Sequence, residues 1–229
     1  VRSAAIKSAI LSGSNPEMSR KSPGRKNSAL QSQRPSGRNE LRIIGGSWRG
    51  RRVKFPSLSE LRPTPDRVRE TLFNWLQPLI AGSRCLDLFA GSGALGLEAL
   101  SRGAARVVFV DREPEVIKHL HLALSTLKAE GAEPKLAEAR RYLESPPEAF
   151  DIVFLDPPFA HESLQTICAP LETRGWLAPS AFIYIERPAR EGPPALPEQW
   201  ILHRTGRAGE VGYHLARRQA APLARGDTR

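Results

Sequence analysis

Residues 85–96 read Cys85-Leu86-Asp87-Leu88-Phe89-Ala90-Gly91-Ser92-Gly93-Ala94-Leu95-Gly96. Apolar residues lead into a glycine-rich turn, and the turn opens a helix-like run from Ala94 to Leu100. Small residues at such a turn let a ligand approach the backbone, and the helix N-terminus supplies unpaired N–H groups. Gly91-x-Gly93-x-x-Gly96 matches the dinucleotide fingerprint, a weak signal by itself. Arg106-Val107-Val108-Phe109-Val110-Asp111 then reads as a second strand ending in an acid, 20 residues beyond Gly91. An acid there accepts hydrogen bonds from two ribose hydroxyls. The pattern predicts an α/β sheet and a nucleoside-bearing cofactor, either NAD or S-adenosylmethionine.

Two features separate those cofactors. Asp87 lies inside the first strand, four residues before Gly91, where a carboxylate can face the cationic end of S-adenosylmethionine. NAD offers no cation at that place. The second feature is Asp156-Pro157-Pro158-Phe159, directly after the buried-strand pattern Phe150–Leu155. Two consecutive prolines cannot continue a strand or enter a helix interior, so the backbone stops in a stiff extended turn. Such a turn holds a carboxylate and a backbone carbonyl as fixed acceptors beside an aromatic face. A planar exocyclic amine on a nucleobase needs that set. An isolated Asp-Pro turn is usually only the end of a strand; the upstream cofactor pattern gives this one a chemical use. Together the motifs read as a methyltransferase acting on an amino group of a base.

The 229 residues suffice for one α/β domain with appendages, and no apolar run approaches the length of a membrane span. Cys85 and Cys168 fall in apolar segments, in no metal or redox spacing, and read as core thiols of a cytoplasmic protein. The five histidines form no ligand cluster; His119 and His121 are two apart on a predicted helix and point in different directions. No metal is expected. The net charge of +10 is unevenly spread: residues 1–40 carry +6, residues 41–70 carry +5, and residues 71–229 carry −1. A one-ended basic excess suits a polyanion-binding arm, with a solubilising tail as the plainer reading of residues 1–40.

Along the chain, residues 1–40 are Ser-, Gly-, Pro-, Lys- and Arg-rich and read as a disordered basic tail. Met18 is the sole methionine and residue 1 is Val, so one reading makes Met18 the natural start. Residues 41–78 read as an extension: a β-hairpin from Leu41 to Phe55 turning at Gly45-Gly46-Ser47, then a helix to about Leu76. Thr64 is its expected N-cap and Pro65 its first residue, with an apolar face of Val68, Leu72, Trp75 and Leu76. Arg42, Arg49, Arg51 and Arg52 decorate the hairpin and Arg67 and Arg69 flank the helix, all six available to RNA. Residues 79–218 form the catalytic domain, with strands at Cys85–Phe89, Arg106–Val110, Lys135–Ala137, Phe150–Leu155 and Ala181–Glu186. Pro114 opens a helix closed by Gly131, shorter helices lie at Arg140–Glu144 and His161–Leu171, and Trp200–Thr205 and Val211–Ala216 form a final antiparallel pair. Alternating βα units imply a parallel sheet whose ligand lies at the carboxyl ends of the strands. Gly91, Asp111, Glu138 and Asp156 all fall there. Residues 219–229 read as a frayed tail.

From Leu41 to about Arg217 the sequence resembles the RsmD family of bacterial methyltransferases. The residues that carry the resemblance begin with Arg42-Ile43-Ile44-Gly45-Gly46-x-Trp48-Arg49-Gly50-Arg51. The most specific block is Leu61-Arg62-Pro63-Thr64-x-Asp66-Arg67-Val68-Arg69-Glu70-Thr71-Leu72-Phe73-Asn74-Trp75-Leu76. Asp87–Leu100 and Asp156–Phe159 complete it. The resemblance implies a class I S-adenosylmethionine-dependent methyltransferase, Rossmann-like, with a seven-stranded sheet, an antiparallel last strand and a small N-terminal β-hairpin extension. It implies methylation of N2 of one guanine in small-subunit (16S) rRNA, naked or in the assembled 30S subunit; for the oligomeric state a monomer is the default. It implies catalytic roles for Asp156, Pro157 and Phe159, and a cofactor site from Asp87, Phe89, Ala90, Gly91, Ser92, Gly93, Asp111, Arg112, Glu138 and Ala139. Glu138 departs from the pattern, since an Asp or Asn commonly meets the adenine amine there. Three alternatives stay open: a DNA adenine-N6 methyltransferase, an NAD-linked oxidoreductase and a non-catalytic RNA binder. Asp-Pro-Pro-Phe suits the adenine amine equally, although no target-recognition domain is visible.

Overall fold

Near-continuous apolar strands must be covered on both faces, and this requirement organises the molecule. The computed structural model describes residues 39–56, 64–158 and 164–219. In chain order the elements are β1 (Glu40–Arg42), β2 (Arg52–Lys54), α1 (Asp66–Ile80), β3 (Arg84–Asp87), α2 (Ala94–Ser101), β4 (Arg106–Asp111) and α3 (Pro114–Leu127). There follow β5 (Ala132–Leu136), α4 (Ala139–Tyr142), β6 (Phe150–Leu155), α5 (Leu164–Thr173), β7 (Leu177–Pro188), β8 (Trp200–Ala208) and β9 (Val211–Arg218). The main sheet has seven strands in the order β5-β4-β3-β6-β7-β9-β8. Strands β3 to β7 run parallel, while β9 is antiparallel to both its neighbours. The expected seven-stranded α/β architecture with an antiparallel final strand is present.

The chain winds outward from β3 to β5, then returns to lay β6 on the other side of β3. That reversal opens a crevice at the carboxyl ends of β3 and β6. Helices α1, α2 and α3 cover one face, packing on Cys85, Phe109, Ile152, Phe154 and Tyr184. Helices α4 and α5 cover the other, over Leu86, Val108, Val153, Ile183 and Ile185.

Several boundaries differ from the sequence-based expectation. Strand β5 starts at Ala132, three residues early, because this edge strand is only half-covered and carries no clear apolar alternation. Pro134 is tolerated there for the same reason. Helix α1 continues past Pro78 to Ile80, since buried Ile80 extends the stripe of Val68, Leu72, Phe73 and Leu76. Helix α3 ends at Leu127 with Lys128 in the left-handed conformation, ahead of Gly131. Thr64 is not a helix cap: Pro65 holds that position, and the Thr64 hydroxyl donates instead to Glu186, 122 residues away, at 2.8 Å. The tails expected at 1–40 and 219–229 fall almost wholly outside the described residues. Glu40 already pairs with Lys54, and the Gln219 N–H donates to the Gln199 carbonyl at 2.8 Å.

The N-terminal hairpin is real but its strands are three residues each, joined through a short 3-10 turn at Gly46–Trp48. Two such strands cannot stand alone in water. They dock on α2. Glu98 accepts the Ile44 N–H at 2.8 Å and the Gly45 N–H at 2.7 Å. Ser101 Oγ accepts the Trp48 N–H at 2.9 Å and donates to the Gly45 carbonyl at 2.6 Å. Gly46, at φ 74°, passes so close that a Cβ would sit 1.8 Å from the Ser101 carbonyl oxygen. Only glycine fits there.

Candidate active site

The glycine turn is cross-braced by the acids on either side of it. Asp87 closes β3, is 2% exposed, and its Oδ2 accepts the Gly96 N–H at 3.0 Å. Asp111 closes β4; Oδ2 accepts the Gly91 N–H at 2.8 Å and Oδ1 the Glu113 N–H at 2.9 Å. Gly91 and Gly93 both adopt positive φ, 50° and 77°, and Gly93 leads into α2. A Cβ on Gly96 would lie 2.2 Å from the Phe109 ring, so this glycine lets α2 rest on β4.

The remaining cofactor candidates surround this turn. Ala90 donates its N–H to the Val110 carbonyl at 2.9 Å. Ser92 is buried and Phe89 half-buried, whereas Arg112 is exposed beside Glu113 at 3.4 Å. The Ala137 N–H reaches the Asp111 carbonyl at 2.9 Å, which sets Glu138 next to the β4 end. Glu138 caps α4, accepting the Arg140 and Arg141 N–H groups at 3.1 and 2.9 Å, and Ala139 is buried behind it.

Asp156 follows β6 directly. β6 and β7 pair through Leu155 and Ile185, so the next step along each strand brings Asp156 beside Glu186. Asp87 pairs with Phe154, on the same face, one strand over. Three adjacent strands thus direct three carboxyl groups into the crevice. Glu186, 3% exposed, accepts hydrogen bonds from the Thr64 hydroxyl at 2.8 Å and the Tyr184 hydroxyl at 2.9 Å, both on Oε1.

The electrostatics are one-sided. Loss of hydration pushes the Asp87 carboxyl up to about 7; the Gly96 N–H opposes this, and the charges of Asp111 and Glu186 add to it. Burial likewise lifts Glu186 to about 7 against the two hydroxyl donors. Asp156 rises well above the usual carboxylate range, through lost hydration first and then the charges of Glu186 and Asp87. Asp111 is raised by burial, with its two backbone donors opposing. No Lys or Arg among the described residues offsets Asp87, Asp156 or Glu186. The donor set therefore fits a ligand that brings its own positive charge, as S-adenosylmethionine does and a nicotinamide dinucleotide at this position does not.

Some expected site residues stand elsewhere. Arg69, expected at the RNA surface, is fully buried. Its guanidinium donates to the Thr64 and Arg42 carbonyls at 3.2 and 2.9 Å and to Asp66 at 2.6 Å, and lies 3.6 Å from Glu98. The reason is the hairpin, which closes over it. Arg42, Arg49, Arg51, Arg52 and Arg67 are exposed. Arg51 reaches the Thr126 carbonyl at 3.0 Å and Arg52 pairs with Glu40 at 3.4 Å. Pro157 is buried, and Phe159 lies outside the described residues. Sequence reading missed Glu186 and Glu98; each is a lone acid inside an apolar run, which was the available signal. Among the described residues no group of His, Cys, Asp and Glu is arranged to hold a metal ion, and no helix is long and apolar enough to cross a membrane. Cys85 and Cys168 are buried free thiols.

Comparison with known proteins shows the family. A family model described as "Conserved hypothetical protein 95" matches residues 41–217. Ribosomal RNA small subunit methyltransferase D of Escherichia coli K12 is 49% identical over 185 residues, covering 81% of this chain and 93% of that protein. The chain belongs to the RsmD family. The RsmD-family protein of Haemophilus influenzae is 44% identical, over 80% of this chain and 96% of its own length. A solved Escherichia coli methyltransferase, yhhF, superposes with a TM-score of 0.74 at 48% identity, covering 80% of this chain and 99% of that one. At 21% identity and a TM-score of 0.56, the 16S rRNA N2 G1207 methyltransferase of Thermus thermophilus, solved with AdoMet and guanosine, shares the fold. The enzyme class expected from the RsmD resemblance is borne out, and nothing in these likenesses favours a DNA methylase.

Proposed function

We propose that this chain methylates the exocyclic N2 of one guanine in small-subunit rRNA, using S-adenosylmethionine, in the bacterial cytoplasm during assembly of the small subunit. The observation that carries the reading is the meeting of Asp87, Asp156 and Glu186 beside the glycine turn with no cation among the described residues to balance them. Family membership supports the substrate class.

S-adenosylmethionine supplies an electrophilic methyl group and a positive charge. Asp111 would accept the ribose hydroxyls, and its two backbone donors keep it rigid for that purpose. Glu138 would accept from the adenine amine. Asp87 would face the cationic end, where its cost of burial is relieved. Asp156 and the Pro157 carbonyl would accept the two N–H groups of guanine N2. Those bonds favour a pyramidal nitrogen whose lone pair is withdrawn from the ring, and holding it in line supplies much of the acceleration. Phe159 would stack on the base. Arg42, Arg49, Arg51, Arg52 and Arg67 would hold phosphates and help offset the few kcal/mol needed to unstack the target.

The test is methyl transfer from labelled S-adenosylmethionine to unmodified small subunits, naked small-subunit rRNA and DNA, with nucleoside mass spectrometry. N2-methylguanosine in RNA is the expected product. N6-methyladenine in DNA, or no transfer to any substrate, would overturn the reading.

A further inference from the structure

Glu186 is buried deeply for a charged group, and beyond its share in the negative charge of the crevice it has been given no contact of its own with the base. Its surroundings say how it is held. Thr64, from the segment before α1, and Tyr184, two residues earlier on β7, both donate to Oε1. Oε2 has no hydrogen-bond partner among the described residues. Tyr184 is itself fixed, fully buried with its ring against Phe154 at 6.4 Å. The carboxyl group is therefore held through one oxygen, and Asp156 is near enough to feel its charge. Neighbouring strands lie about 4.8 Å apart, so the register that pairs Leu155 with Ile185 sets the two acids side by side.

The Watson–Crick edge of guanine carries two adjacent donors, N1–H and the N2 amine. No other standard base has that pair. Adenine offers a lone pair at N1, and cytosine offers one at N3; each would meet the Glu186 carboxylate lone pair to lone pair. Uracil has an N–H but no amine. We propose that Glu186 is the specificity residue for guanine, its Oε2 accepting the N1–H of the target base while Asp156 takes the N2 amine. This rests on the base-methylation reading of the same site. It adds a reason, internal to the cleft, why guanine enters and adenine does not. A buried acceptor left facing a second acceptor loses its partner altogether, which discriminates more strongly than a poor apolar fit.

The test replaces the target guanine, once mapped with the wild-type protein, by 2,6-diaminopurine in otherwise natural small-subunit rRNA. This base keeps the 2-amino group but presents a lone pair at N1. Wild type and Glu186→Gln are compared by kcat/KM on both RNAs at pH 8, above the value of about 7 to which burial lifts Glu186. The Gln side chain keeps an oxygen for Thr64 and Tyr184 and turns an N–H toward N1. Expected is a guanine preference that falls by about 10- to 100-fold in Glu186→Gln, the worth of one charge-assisted hydrogen bond. Comparing the two proteins cancels the intrinsic reactivity of the bases. A preference that does not change overturns the assignment while leaving the methyltransferase reading intact. A second arm needs no variant: N1-methylguanine at the target should be a poor substrate for the wild type, and a natural rate on it also overturns the assignment. Absence of N2-methylguanosine on natural RNA removes the functional reading and this assignment together.

Discussion

Asp87 carries the clearest pH signature in the molecule. Its carboxyl ionises near 3.8 when unfolded and near 7 in the folded cleft. Between those values the folded state holds the proton more tightly, so Asp87 favours folding at low pH and this contribution is lost as pH rises from about 4 through 7. Asp87→Asn removes the penalty while keeping an oxygen for the Gly96 N–H. The variant should be more stable than wild type to urea at pH 8, by on the order of 1–3 kcal/mol, with the gain vanishing toward pH 4. Equal stability at pH 8 would show that the carboxylate is not penalised there. Affinity for S-adenosylmethionine should fall in the same variant. Asp156→Ala should behave differently: turnover drops about 100-fold or more, the scale set by removing one oriented hydrogen-bonding group, while cofactor titration stays normal. A near-wild-type rate would end its catalytic assignment. Asp111 and Asp156 were legible because each ends an apolar run at a strand terminus, and Asp87 because it interrupts the apolar run that leads into the glycine turn. Glu186 was not, since its partners Thr64 and Tyr184 come together only when α1 folds against β7.

Helix α2 does two jobs with opposite faces of one short element. Its N-terminus continues the glycine turn, and Glu98 and Ser101 near its other end receive the hairpin. Glu98 is fully buried, accepts two backbone N–H groups and pairs with Arg102 at 2.8 Å and Arg69 at 3.6 Å. Glu98→Ala would leave the buried Arg69 guanidinium with Asp66 as its one remaining acid among the described residues, and the hairpin amides without an acceptor. A loss of about 3–5 kcal/mol in urea unfolding follows, in line with one-sided removal of a buried pair. A loss below about 1 kcal/mol would mean that the network relaxes around water. The sequence showed the helix and the hairpin separately. It could not show that Arg69 turns inward, because two of the groups that hold it, the Arg42 carbonyl and Glu98, lie 27 and 29 residues away along the chain.

At the scale of the whole molecule, charge is segregated: residues 41–70 carry +5 and residues 71–229 carry −1. Five of the arginines in the basic segment are exposed. Simultaneous reversal of Arg42, Arg49 and Arg51 to Glu should reduce the slope of log affinity against log salt for small-subunit rRNA by about 2–3, close to one unit for each phosphate no longer neutralised. Fluorescence anisotropy over a salt series measures it, and an unaltered slope would move the phosphate-binding surface elsewhere. The parallel α/β sheet was readable because βα alternation admits few topologies. The edge strand β5 was placed poorly because half-exposed positions carry no period.

The docking of the hairpin on α2 also makes the protein a measuring instrument. Gly46 sits against the Ser101 carbonyl with no room for a methyl group, and Glu98 clamps the strand beside it. The arginine-bearing arm and the glycine turn are thereby jaws of one caliper with a fixed gap. If the proposed arginines hold phosphates, a guanine would be reached only when those phosphates lay one set span from it, and the RNA's own three-dimensional spacing would select the nucleotide before any base edge is read.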